Sequence, residues 1–208
     1  MKDPYQQMGI KRNPFVVKET PGVPQPLWMD RHQPNHPLPN QCQYFQILGS
    51  RGVGKTSILF HWKEEQPGPY HYVAEDFTRW QLPPFHPIVY WDEIDRWAWW
   101  YRALIFFIGR LKKITIVAAT HRDFSTLSKW LGFEVRQVTF QPLTPEELME
   151  WAELRIQAAR LNEEIATNLH LTQVKAEEIA AKAGDSLRFA ADLLHIWAAE
   201  EAAKESRK

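Results

Sequence analysis

Eight residues constrain this chain more than any other feature: Gly49-Ser50-Arg51-Gly52-Val53-Gly54-Lys55-Thr56. They fit the pattern G-x-x-x-x-G-K-[ST] and lie between an apolar strand, Gln43–Leu48, and a helix predicted from Gly54 to Glu65. Glycine lets backbone N–H groups wrap a phosphate chain without Cβ clashes, and the following helix N-terminus adds partial positive charge. Gly49, Ser50, Arg51, Gly52, Val53 and Gly54 form the predicted phosphate cradle, continued by Lys55, Thr56 and Ser57. Lys55 is placed to reach the β- and γ-phosphates of ATP, and the Thr56 hydroxyl to ligate Mg²⁺.

A second segment answers the first. Ile88-Val89-Tyr90-Trp91 is a short apolar strand ending in Asp92 and Glu93, 37 residues after Lys55. A carboxylate there holds Mg²⁺, and the next one polarises an attacking water as general base. Asp92 is the expected metal ligand and Glu93 the expected base, whereas Asp95 reads as a helix-start acid. The strand Ile114–Ala119 ends in Thr120-His121-Arg122-Asp123, where a parallel sheet presents polar side chains to a bound phosphate. His121, ahead of Thr120, is the candidate sensor of the γ-phosphate. Gly184-Asp185-Ser186-Leu187-Arg188 opens the last helix, and its guanidinium suits a terminal phosphate.

Around these motifs strands and helices alternate. Strands are expected at Gln43–Leu48, Tyr70–Ala74, Pro87–Trp91, Ile114–Ala119 and Val135–Phe140, with a helix at Arg96–Leu111 that is apolar around much of its girth and therefore expected to be deeply packed. That pattern predicts an α/β fold: a three-layer core with a central five-stranded parallel sheet, residues 41–143. After Pro142 the chain reads as purely helical, a lid over residues 144–203. Thr144-Pro145-Glu146-Glu147 is its start signal, Asn162 and Thr172 are further caps, and residues 204–208 are a frayed tail. Residues 1–40 hold 8 of the 15 prolines and read as an extended arm draped over the domain.

Composition excludes other classes. The single cysteine, Cys42, rules out an intrachain disulfide framework and fits a reducing compartment. No apolar run approaches the roughly 20 residues of a membrane span, and no signal-peptide core follows Met1, so the expected location is cytoplasmic with no membrane insertion. Net charge is +0, but it is segregated: residues 1–145 carry 17 Lys/Arg against 12 Asp/Glu, and residues 146–208 carry 8 against 13. The ten tryptophans are several times the usual share; they read first as filling a small core with few residues, and alternatively as anchors of a partner interface.

Taken together, the two phosphate and metal motifs, the Asp92-Glu93-Ile94-Asp95 string, the sensor turn and the helical lid resemble the AAA+ ATPases of the P-loop NTPase class. Met8-Gly9-Ile10-Lys11-Arg12-Asn13-Pro14-Phe15 is similar to the opening of ExeA-type secretion ATPases and TnsC-type transposition regulators, and Gly184–Leu194 is similar to their lid segment. Val138–Leu148 and the acidic string also resemble origin-recognition initiators. The resemblance implies Mg-dependent ATP hydrolysis, Arg188 as second sensor, and ATP-bridged homo-oligomers completed by a neighbour's arginine. Arg136 is the candidate finger and Arg122 the runner-up. It implies an ATP-dependent assembly regulator, transposition- or replication-like, acting on double-stranded DNA or on a protein partner. Arg102, Arg110, Lys112 and Lys113 read either as a basic helix C-terminus answering the helix dipole or as candidate contacts to double-stranded DNA. The alternative is a nucleotide-gated binding module with negligible turnover, using Trp97, Trp99 and Trp100 as its interface.

Overall fold

The computed structural model describes residues 3–16, 36–162 and 166–206. Contacts divide the chain into two compact units, a sheet unit ending at Phe140 and a helical unit from Gln141 onward.

The sheet unit is built on five parallel strands: β1 (Gln43–Leu48), β2 (Tyr70–Tyr72), β3 (Ile88–Asp92), β4 (Thr115–Thr120) and β5 (Glu134–Thr139). Their order is β2-β3-β4-β1-β5, so β4 and β1 are central and β2 and β5 are edges. Central strands buried on both faces are mostly apolar, and Tyr44, Phe45, Ile47, Ile116, Val117, Ala118 and Ala119 are fully enclosed, while the buried Gln46, Thr115 and Thr120 are hydrogen-bonded. Alternation sends Tyr44, Trp91, Ile116 and Ala118 to one face, against Ile105 and Phe106 of α3 (Trp99–Leu111). The opposite face carries Phe45 and Tyr90 against α2 (Lys55–Glu65). The Phe45 ring meets Trp62 at 5.8 Å, and the Tyr90 hydroxyl donates to the carbonyls of Trp62 and Gln66. Both carbonyls lie at the end of α2: Trp62 O also accepts from Gln66 N at 2.8 Å, and the phenol adds a second bond there and satisfies Gln66 O beyond the helix.

The crossover from β2 to β3 contains no α-helix, only the 3₁₀ turn Phe77–Trp80. A second 3₁₀ turn, Ile94–Arg96, precedes α3, so the α-helix starts three residues later than its sequence pattern predicts. The deep packing expected for α3 holds for one face only. Tyr101, Arg102, Ile105, Phe106 and Gly109 are buried, whereas Trp100, Leu104, Phe107 and Leu111 face solvent. Trp97 is enclosed and Trp99 is open, so the three expected interface tryptophans split between core and surface. Between β4 and β5 lies the short helix α4 (Ser125–Trp130).

The helical unit contains α5 (Pro145–Ala158), α6 (Gln173–Ala183) and α7 (Leu187–Glu205). The Thr144 hydroxyl accepts from Glu147 N, and the Glu147 carboxylate accepts from Thr144 N, which closes the capping box at the predicted start. The Thr172 and Ser186 hydroxyls cap α6 and α7 by accepting from Lys175 N and Phe189 N, without a reciprocal side chain. The last helix runs on to Glu205, past the expected end at Glu201, with Lys204 reaching back to Glu201 at 2.7 Å. Of the short helix expected after Asn162, residues 163–165 lie outside the described residues and residues 166–171 are not helical.

Rather than draping as an arm, residues 3–16 are part of this unit's core. A one-turn helix, α1 (Pro4–Gln7), leads into Met8, Ile10 and Phe15, all buried among Trp151, Ile156, Leu194 and Trp197. Gly9 turns the chain with φ 77°, a conformation that favours glycine. Asn13 then ties the segment down, donating to His195 O at 2.9 Å and accepting from Phe15 N. Residues 17–35 lie outside the described residues. Phe15→Ala removes an enclosed ring and should cost the helical unit about 3–5 kcal/mol, read as a lower denaturant midpoint.

Candidate nucleotide site

The Gly49–Thr56 motif forms a closed turn between β1 and α2. Gly52 and Gly54 take φ of 85° and 104°, which the loop needs to curl back before the helix begins. A Cβ on Gly49 would lie 2.8 Å from the Val53 methyl and 3.0 Å from the Phe140 ring, so the loop closes only on glycine. Lys55, in the first turn of α2, folds its ammonium into this loop and donates to Gly49 O at 3.0 Å and Ser50 O at 2.8 Å. Burial pushes its pKa below the usual lysine value, while Glu93 and Asp92 pull in the opposite direction.

Asp92 ends β3 beside the start of α2. Its Oδ2 accepts from the Thr56 hydroxyl at 2.8 Å and from the Tyr70 hydroxyl at 3.0 Å. Its Oδ1 is buried with no hydrogen-bond partner. Desolvation holds the Asp92 carboxyl above the ordinary range, against those two donors. A buried carboxylate oxygen without a partner, next to a threonine hydroxyl, is what a hard divalent cation with oxygen ligands requires, so Thr56 and Asp92 fit Mg²⁺.

Glu93 leaves the strand in the left-handed region, φ 61°, which is costly for a residue with a side chain. The turn aims its carboxylate between two partners: Oε1 is 3.3 Å from His121 Nε2 and Oε2 is 3.5 Å from Arg96. His121 Nδ1 is 3.3 Å from Lys55 Nζ. A proton on Nε2 satisfies both contacts, donating to Glu93 while Nδ1 accepts from Lys55. Lys55, His121 and Glu93 therefore form one chain of contacts, with Thr56 and Asp92 alongside.

Thr120 lies elsewhere. It is fully buried, and its hydroxyl donates to Asp95 or to Arg122 O. Asp95 also accepts from His121 N at 3.2 Å, so Asp95 and Thr120 position the turn that carries His121. The other side of that turn hangs on Gln46 of β1, which donates to Asp123 and accepts from Phe124 N. Arg122 is exposed beside it. Arg136 sits on the edge strand β5 and pairs with Glu134 at 2.9 Å. Arg188 is exposed in the first turn of α7, within the helical unit.

Arg102 is corrected as a DNA contact. It is buried, its guanidinium stacks 3.7 Å over the Phe124 ring, and it donates to Ile94 O and Trp97 O. Lys112 and Lys113 are exposed and Arg110 is partly so.

Two groups escaped sequence reasoning. Tyr70 sits on β2, whose register against β3 brings it to Asp92, and no motif spacing announces that pairing. Arg96 also donates to Tyr72 OH and to Val73 O. Its place three residues after Glu93 was the available signal.

The β2-β3-β4-β1-β5 sheet, with a glycine loop after β1 and paired acids at the end of β3, is an α/β fold shared with AAA+ P-loop proteins of known structure. Among solved structures the chain is similar to RuvB of Thermotoga maritima, described as a Holliday junction branch migration motor, with 21% identity and a TM-score of 0.50. Two single-residue variants of that RuvB align at 20% identity with TM-scores of 0.51 and 0.52. Each alignment covers 73% of this chain and 53% of the RuvB chain, so this chain spans about half the length of those neighbours. No family model and no curated protein matches it.

Proposed function

We propose that this chain binds and hydrolyses ATP with Mg²⁺ and uses the cycle to regulate an oligomeric assembly on DNA or on a protein partner. The observation that carries this reading is the chain of contacts Lys55–His121–Glu93 beside the Thr56–Asp92 pair. Thr56 and Asp92 would hold Mg²⁺, which supplies positive charge to the β- and γ-phosphates when bound. Lys55 exchanges its two loop carbonyls for phosphate oxygens. Glu93 takes a proton from the attacking water, and His121 holds the Glu93 carboxylate in line and registers the terminal phosphate. Arg188 is assigned the second sensor role, and Arg136 or Arg122 the completion of a neighbour's site, on the strength of the family resemblance alone. The direct test is titration of a fluorescent ATP analogue. Lys55→Ala should weaken binding at least 100-fold, and unchanged affinity would overturn the reading.

DNA as the platform draws support from the RuvB likeness and from Arg110, Lys112 and Lys113. Phosphate contacts release counterions, so Lys112→Glu with Lys113→Glu should lower the slope of log K against log salt by about 2. Measured by fluorescence anisotropy on double-stranded DNA, an unchanged slope removes Lys112 and Lys113 from the contact, and no binding by the parent chain assigns the partner to protein. The second reading, a nucleotide-gated binding module, is favoured by the open Trp99 and Trp100.

A further inference from the structure

The solvent face of α3 is apolar from end to end. At about 100° per residue, Trp100, Leu104, Phe107 and Leu111 share one narrow arc, spaced as in a helix-pairing seam. Leu111 is 67% exposed, neighbouring Trp99 is 75% exposed, and the other three are about half exposed. Trp80 stacks on Trp100, ring centroids 5.5 Å apart, and extends the strip. These six side chains offer roughly 700 Å² of apolar surface, above the few hundred usual on a monomer and near the ~800 Å² per partner of a stable pair.

Charge is distributed unequally along this strip. No acidic residue occurs from Arg96 to Arg122, and Arg110, Lys112 and Lys113 gather at the C-terminal end of α3. At the other end, where Trp80 meets Trp100, the exposed acids Glu75 and Asp76 precede the Phe77–Trp80 turn, balanced by Arg96, which pairs with Glu75 at 3.3 Å, and by Arg79 over the Trp80 ring. The strip therefore runs from a charge-balanced, tryptophan-rich end to a basic end.

We propose that this strip pairs with the same strip of a second copy, antiparallel about a two-fold axis and without nucleotide. Antiparallel pairing lays Lys112 and Lys113 of one copy against Asp76 and Trp99 of the other, as ion pairs and cation–π contacts. Parallel pairing would bring the two basic ends together. A two-fold contact closes at two copies, unlike the head-to-tail contact of an ATP-bridged ring, so it is an additional interface beyond the proposed function. Pairing and DNA compete for Lys112 and Lys113.

Sedimentation velocity on the full chain at tens of micromolar, without nucleotide, should show a species of twice the 24.5 kDa chain mass. Leu104→Glu should raise the dimer dissociation constant at least 100-fold while leaving helical circular dichroism, and the melting curve at concentrations too low for pairing, unchanged. Lys55→Ala should pair like the parent, which separates this interface from the ATP reading. Phe107→Cys in a Cys42→Ser background should cross-link to a symmetric disulfide under copper phenanthroline and oxygen, and Val174→Cys, on the helical unit, should not. A monomeric parent chain, or a dimer that survives Leu104→Glu, overturns the proposal. So does a monomer that binds anionic phosphatidylserine vesicles through Leu104 and Phe107.

Discussion

Glu93→Gln is expected to slow ATP hydrolysis by about 10²–10⁴-fold, the usual worth of a positioned general base, while nucleotide affinity stays within a few-fold. The amide keeps the size of the side chain. Its oxygen still accepts from Arg96 or His121, so the left-handed turn at Glu93 is preserved. What it loses is the ability to take a proton from water. Any ATP-bridged assembly should then persist, because the step that ends it is blocked. Single-turnover hydrolysis and sedimentation in ATP give the two readouts. Equal turnover in parent and variant removes Glu93 from the chemistry and favours the nucleotide-gated binding module.

Asp92→Asn should have opposite effects on stability and activity. The Asp92 carboxyl is buried, and desolvation raises its pKa above the unfolded value despite the Thr56 and Tyr70 donors. A carboxyl whose folded pKa is raised favours folding while it is protonated. That advantage is lost as pH rises through the folded pKa, so at neutral pH the charge is a burden in the metal-free chain. The amide removes it, and its one oxygen, placed where Oδ2 lies, can still accept both hydrogen bonds. Metal-free Asp92→Asn should therefore melt higher, by about 2–4 °C for each kcal/mol recovered. The gap should narrow as pH falls through the raised pKa. Mg-dependent hydrolysis should be lost in the same variant. Because the proton and Mg²⁺ compete for one carboxylate, the parent chain's Mg²⁺ affinity should also weaken on acidification through that pKa. Calorimetry without metal, compared across pH, tests the stability arm. A variant less stable than the parent at neutral pH would contradict the account of Asp92 as a buried charge kept for a cation.

Local features of this chain were legible in the sequence, and features that depend on register were not. The glycine loop, the acids ending β3 and the capping box at Thr144 are each set by a few adjacent residues, and the backbone follows them directly. Tyr70 reaches Asp92 only because β2 lies beside β3, an order that no local pattern encodes. Arg102 shares its helix face with Ile105 and Phe106, so helical periodicity already placed it inward; reading it as part of a basic cluster overrode that geometry. The helix α3 illustrates the opposite limit. An apolar girth distinguishes buried from solvated only when no further partner exists, and its outward strip is apolar yet open. The N-terminal Met8–Phe15 motif reads as a family signature in the sequence, and its physical content is the anchoring of Ile10 and Phe15 in the helical unit's core.

The central claim, a magnesium-dependent ATPase completed by its neighbours, is tested most directly by phosphate release per subunit over a range of protein concentrations, with and without double-stranded DNA. The account predicts a rate that needs Mg²⁺, vanishes in Lys55→Ala, and rises per subunit with concentration. A rate near zero at every concentration, with ATP still bound, would contradict it.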